Sequence, residues 1–88
     1  MAELEREESE DTEDLRLRIA QLERALESRV VIEQAKGMLA ARHHVDLQTA
    51  FNALRFAARS NHLILRELAL RVIAEPHTPA EIVSELRG

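Results

Sequence analysis

The sequence predicts an all-α fold: a long N-terminal helix with a coiled-coil stalk, leading into a three-helix bundle, plus a short C-terminal helix. Three observations predict it. Apolar residues recur at spacings of three and four almost everywhere after residue 11, the period of an amphipathic helix. No Gly or Pro interrupts the chain before Gly37. With 88 residues, 45% of them apolar, the chain holds at most one small domain.

The first segment, residues 1–13, is strongly acidic. Residues 1–14 hold eight acids against Arg6, a net of -7, so the overall charge of -4 leaves about +3 on residues 15–88. Such a charge run predicts a solvated, disordered arm. Over residues 14–28 the side chains Leu15, Ile19, Leu22 and Leu26 fall at four, three and four residues. This is a coiled-coil seam, with Arg16, Arg18, Glu23, Arg24 and Glu27 lying off it. A single helix is expected from about Thr12 or Asp14 to about Arg42. The seam can either fold back on its own domain or pair with a second copy. A bundle this small needs extra buried surface, which favours dimerisation.

Gly37 sits inside this helix, where it costs about 1 kcal/mol relative to Ala. That cost suggests close approach by another helix or by a ligand backbone, helix packing being the commoner cause. His43-His44-Val45-Asp46 forms a short connection, with Asp46 placed to cap the next helix.

The second helix is expected over about Leu47 to Arg59, with Leu47, Phe51, Leu54 and Ala58 as its buried stripe. Gln48, Asn52, Arg55 and Arg59 repeat the spacing one residue later and form a more exposed strip. Ser60-Asn61 breaks the helix. A third helix runs from about Leu63 to Glu75, with Leu65, Leu68, Ala69 and Val72 inward. Pro76 ends it. In Thr78-Pro79-Ala80-Glu81, Thr78 is placed as N-cap, Pro79 at the first helical position and Glu81 three residues after the cap. A fourth helix, about Pro79 to Leu86, would present Ile82, Val83 and Leu86 to the bundle or to a partner. Residues 76–88 are thus a linker and a short helix.

Residue content argues against several function classes. Without cysteine there is no disulfide, thiol catalysis or cysteine-held zinc. His43, His44, His62 and His77 lie near turns and form no i, i+4 pair, so they read as surface residues. Ser28, Ser60 and Ser84 have no recognisable neighbouring base, and one interior glycine makes no phosphate-cradling loop. The only aromatics are Phe51 and Phe56, so base stacking on aromatic platforms is not expected. No apolar run reaches membrane-spanning length, and the acidic start is not a signal peptide. The expectation is a cytoplasmic protein that is not an enzyme, with no cofactor, metal or membrane partner.

What remains is a set of cations spread over the helices: Lys36, Arg42, Arg55, Arg59, Arg66 and Arg71. In an arbitrary helical protein they would solubilise exposed faces or pair with Glu33, Glu67 and Glu75. The stretch Leu26 to Ala69 shifts that reading. Arg29, Ile32, Ala35-Lys36-Gly37, Ala50-Phe51, Leu54-Arg55 and Ala58 through Ala69 stand in an order and at spacings that resemble the ANTAR family, the helical RNA-binding domain of bacterial transcription antiterminators.

The resemblance implies an RNA-binding domain over residues 29–75, in a stand-alone member of the family with an N-terminal coiled coil or in a fragment of a larger regulator. The RNA-facing residues it implies are Ala35, Lys36, Gly37, Arg42, Ala50, Arg55, Ala58, Arg59, Arg66 and Ala69. Leu15, Ile19, Leu22 and Leu26 are expected to make the dimer. Arginine suits such a surface because its planar fork binds phosphates or base edges and stacks on bases. Two departures stand out: Leu63 and Ile64 occupy places that are commonly basic in the family, and Ser60-Asn61-His62 reorders the usual Asn-containing turn.

The function implied is that of a homodimer binding paired stem-loops in mRNA leaders and preventing terminator formation, with an upstream signalling protein as a further partner. The acidic arm would add solubility or compete with RNA. The alternative is a coiled-coil protein–protein interaction module without RNA binding. A DNA-binding helix-turn-helix is a third reading, but the second and third helices lack an obvious set of residues for reading a major groove.

Overall fold

In the computed structural model the backbone is described for residues 2–87 and the side chains for residues 12–87. Four helices follow one another: α1 (Ala2–His43), α2 (Leu47–Ser60), α3 (Leu65–Ala74) and α4 (Ala80–Arg87). There is no strand among the described residues, so the fold is all-α as the periodicity predicts. The helix expected to start near Thr12 or Asp14, after a disordered acidic arm, instead begins at Ala2, so the backbone of the acidic run is part of α1; the side chains of residues 1–11 lie outside the described residues.

The long axis of the molecule is α1 itself. At about 1.5 Å per residue its 42 residues span roughly 63 Å, against a longest extent of 65 Å. The other helices gather at its C-terminal end. There α1 packs on α3 and α2, α2 also on α3, and α4 on α2. The core contains Val31, Ala35 and Leu39 of α1, then Ala50, Ala53, Leu54, Ala57 and Ala58 of α2. It continues with Leu68, Ala69 and Val72 of α3 and Ile82 of α4. Half of these side chains are alanine, which lets the helix backbones approach closely while still excluding water.

Among the described residues no core residue of α1 precedes Val31. Leu15, Ile19, Leu22 and Leu26 are 46–64% exposed, and Val30 extends the same open stripe. At about 100° per residue, Leu26 lies roughly 180° around the helix from Ala35. The seam therefore runs along the back of α1, and its own bundle does not cover it. Gly37 lies on this back face as well, and a Cβ placed on it would meet nothing within 4 Å. Packing within the chain does not require glycine there, contrary to the expectation of close helix approach.

Two of the helix ends use left-handed histidines. His44 (φ 53°) follows α1 and His62 (φ 54°) follows α2. In each turn an amide reaches back five residues, Val45 N to Ala40 O at 3.2 Å and Leu63 N to Ala58 O at 2.8 Å. This is the Schellman closure, in which glycine is the commoner left-handed residue. The Asp46 carboxylate accepts from Thr49 N at 2.6 Å and caps α2, as its position predicts.

Three local expectations change. Leu47 is 55% exposed, because the inward face of α2 is rotated toward Ala50, Ala53 and Ala57 and takes only Leu54 and Ala58 from the expected stripe. The third helix begins at Leu65, and Leu63 and Ile64 belong to the turn, with Ile64 as a cap residue offering no side-chain hydrogen bond. The reciprocal cap expected at the start of α4 gives way to tertiary contacts. The Thr78 hydroxyl meets His43 Nε2 at 2.7 Å and Glu81 takes Arg71 at 2.7 Å.

Candidate nucleic-acid interface

The sequence of α2, LQTAFNALRFAARS, contains no acid and two arginines. Its inward side is set by alanines and Leu54, so Gln48, Asn52, Arg55 and Arg59 fall roughly opposite the core at the helical period. Gln48, Arg55 and Arg59 are exposed and Asn52 is half-buried. The Gln48 side-chain amide donates to Asn52 Oδ1 at 3.1 Å, which ties two of the four together. Arg59 has no ion pair among the described residues.

Aromatic rings flank the strip. Phe51, half-buried, lies on the α1 side with Lys36 Nζ 5.8 Å from its ring centre. The Arg55 guanidinium sits 5.5 Å from the Phe51 ring and 5.3 Å from the Phe56 ring. Such cation–ring contacts hold a guanidinium flat against a surface while leaving its N–H groups free to donate. Phe56 is itself 41% exposed. Aromatic surface is therefore present, although composition argued against it. The signal in the sequence was that Phe56 is a large apolar residue off the buried stripe.

The remaining cations have other partners. Lys36 is mostly covered and pairs with Glu33 at 2.9 Å. Arg42 donates to the carbonyls of Val72 and Glu75, each at 3.4 Å, and so closes the C-terminal end of α3. Arg66 of α3 reaches Glu27 on α1 at 2.9 Å in an exposed pair. Such pairs contribute only about 0–1 kcal/mol, so Arg66 can exchange its partner for a phosphate. Arg71 joins Glu75 at 3.2 Å and Glu81 at 2.7 Å, linking α3 to α4. Hydrogen bonding from Arg71 holds the Glu81 carboxyl below the usual range, and Glu81 in turn raises Arg71. The Thr49 amide likewise lowers Asp46.

The small residues are placed differently from what the resemblance implies. Ala35, Ala50 and Ala69 have no exposed surface and Ala58 almost none. In this conformation they are packing positions, because van der Waals contact with a ligand needs open surface. The fold therefore brings Lys36, Arg55 and Arg59 to one side of the α1–α2 pair, commits Arg42 to packing, and leaves Gly37 on the open back of α1.

A shallow groove of about 200 Å³ adjoins the strip, between α2 and α4. It is lined by Thr49, Asn52, Ala53, Phe56, Glu85 and Leu86. Among the described residues no cluster of three or more His, Asp or Glu side chains could hold a metal ion. No described helix is long and apolar enough to cross a membrane.

Comparison with known proteins returned no match among curated proteins and none among solved structures. The ANTAR domain profile, by contrast, matches residues 20–73. That span runs from the second half of the stalk nearly to the end of α3 and takes in Lys36, Arg55, Arg59 and most of the core. It covers well over half of the chain, which therefore belongs to the ANTAR family of RNA-binding transcription antitermination regulators.

Proposed function

We propose that this protein acts in the cytoplasm as a homodimer that binds paired stem-loops in mRNA leaders, holds the RNA in its antiterminator form and lets polymerase read through. The observation that carries the RNA-facing part is the α2 strip: two arginines on a helix with no acid, opposite the core and flanked by two rings. Cations supply the phosphate contacts, and guanidinium planes suit unpaired loop bases.

Dimerisation is supported by the back of α1. Leu15, Ile19, Leu22, Leu26 and Val30 form an open apolar stripe about four turns long. At roughly 100 Å² for each side chain covered, a second copy would remove on the order of 500 Å² per protomer. The total of about 1,000 Å² just meets the minimum expected of a biological interface and falls short of the ~1,200–2,000 Å² of stable specific ones. Two weak loop contacts joined on one scaffold then bind tightly through effective concentration.

The test is binding of the purified protein to a two-hairpin leader RNA, beside a one-hairpin RNA and duplex DNA, over a salt series. Tight, salt-sensitive binding to the two-hairpin RNA is expected. Absence of nucleic-acid binding at low salt would favour the protein-interaction module instead, for which Ile64, 62% exposed in the α2–α3 turn, offers a contact point.

A further inference from the structure

We propose that the groove between α2 and α4 receives a single unpaired base of the bound RNA, stacked against Phe56 with its edge read by Asn52 and Glu85. The proposal rests on the RNA-binding reading and specifies which part of the RNA enters this side of α2.

The groove has the size, face and edge that such a base requires. Its volume of about 200 Å³ is below the ~300–1,000 Å³ of pockets that hold drug-sized ligands, and so suits one small planar group. Phe56 lines it and leaves ring surface open to solvent, an unfavourable exposure that a stacked base would relieve. The polar side chains lining it include a donor and an acceptor, Asn52 and Glu85. Gln48 Nε2 donates to Asn52 Oδ1, which leaves the Asn52 amide N–H₂ to donate outward. The Glu85 carboxylate can only accept, and it has no hydrogen-bond or ion-pair partner among the described residues. A donor and an acceptor lining one groove can complement the Watson–Crick edge of an unpaired base.

Charge fixes which part of a nucleotide enters. Arg55 adjoins Phe56 on one side and Arg59 follows one turn later, so phosphates are attracted to the rim. Inside the groove Glu85 repels phosphate, and what can pass it is the neutral base. A protein loop is a poorer match, because the exposed face of α2 carries two arginines without ion pairs among the described residues, one of them against Phe56, and no acid. Glu85 and Leu86 belong to α4, beyond the residues that match the family. This groove is therefore completed by a part of the chain outside the family domain.

The test uses the full chain and a two-hairpin RNA in which each loop base in turn is replaced by 2-aminopurine, whose fluorescence reports stacking. One loop position should change its fluorescence on binding. Phe56→Leu should abolish that change and weaken binding roughly 5- to 100-fold, while the slope of affinity against salt stays as in the wild type, because the ring neutralises no phosphate. Glu85→Gln, at a half-buried side chain with no hydrogen-bond or ion-pair partner among the described residues, should keep the stacking signal and alter the preference among bases at that one position. If Phe56→Leu keeps both the affinity and the fluorescence response, and Glu85→Gln keeps the base preference, the groove does not hold a base. Failure of the wild-type protein to bind any of these RNAs at low salt would instead sink the RNA-binding reading itself.

Discussion

Replacing Gly37 by alanine is a sharp test of the structure, because the expected sign is the reverse of what an interior glycine suggests. Glycine within a helix costs about 0.5–1 kcal/mol relative to alanine, through backbone entropy lost on folding. Ordinarily such a residue is kept because a Cβ would clash. At Gly37 the added Cβ meets nothing within 4 Å, so no steric term offsets the gain. Gly37→Ala should therefore stabilise the chain by about 0.5–1 kcal/mol, or roughly 2–8 °C in Tm for a domain of this size. Thermal melts followed by circular dichroism would measure it. They should be run at several protein concentrations, since any dimer makes Tm depend on concentration. A lowered Tm would show that the Cβ meets something in the assembled protein, and the obvious candidate is a second α1 crossing at this point. A raised Tm with weakened RNA binding would instead mean that RNA approaches the glycine backbone.

Four further outcomes follow from the same geometry. Arg55→Ala and Arg59→Ala should leave helicity intact and each weaken loop binding, by about 1–3 kcal/mol for a bidentate base contact or with a salt slope reduced by about one for a phosphate contact; wild-type binding by the double mutant would remove this surface from consideration. Leu22→Glu should give a monomer in light scattering while α2–α4 stay folded, since Leu22 lies outside the core, and a persistent dimer would place the interface elsewhere. Deleting residues 1–11 removes six acids and one arginine; if the arm competes with RNA, affinity should rise at low salt and the gain should fade at high salt, whereas unchanged affinity leaves only a solubility role. Glu81 has a lowered folded pKa, so its link to Arg71 contributes stability above the ordinary carboxylate range that is lost as pH falls through the lowered value; Glu81→Gln should flatten the acid side of the stability profile, and an unchanged profile would show that the contact does not form in solution.

The helices were legible because helical period and cap chemistry are local properties. Asp46 capping α2, the break at Ser60-Asn61 and the inward set Leu68, Ala69 and Val72 could all be read from spacing alone. Leu47 misled because its spacing fits a stripe whose centre is in fact set by alanines, and alanine scarcely registers in a hydrophobic pattern. The left-handed turns at His44 and His62 left no glycine to flag them. At the candidate site, the exposure of Arg55 and Arg59 followed from their phase on α2. Arg42 could not be separated from them by sequence, because its carbonyl partners lie 30 and 33 residues away on α3 and just beyond it. The α2–α4 groove needed the tertiary fold, since Phe56 and Glu85 come together only when α4 docks.

Because α1 is one uninterrupted helix, it acts as a torsion rod between stalk and bundle. The seam at Leu15–Leu26 and the core positions Val31, Ala35 and Leu39 lie on opposite faces of one helix in a fixed rotational relation, with no loop between them to absorb twist. Anything seated on the seam is thereby held at a set azimuth relative to the arginines of α2. One residue inserted between Leu26 and Val31 would swing that azimuth by about 100°, whereas seven, close to two full turns, would return it to within about 20°. The number of residues between stalk and bundle is thus itself a geometric parameter, and it sets the direction in which the two arginines point.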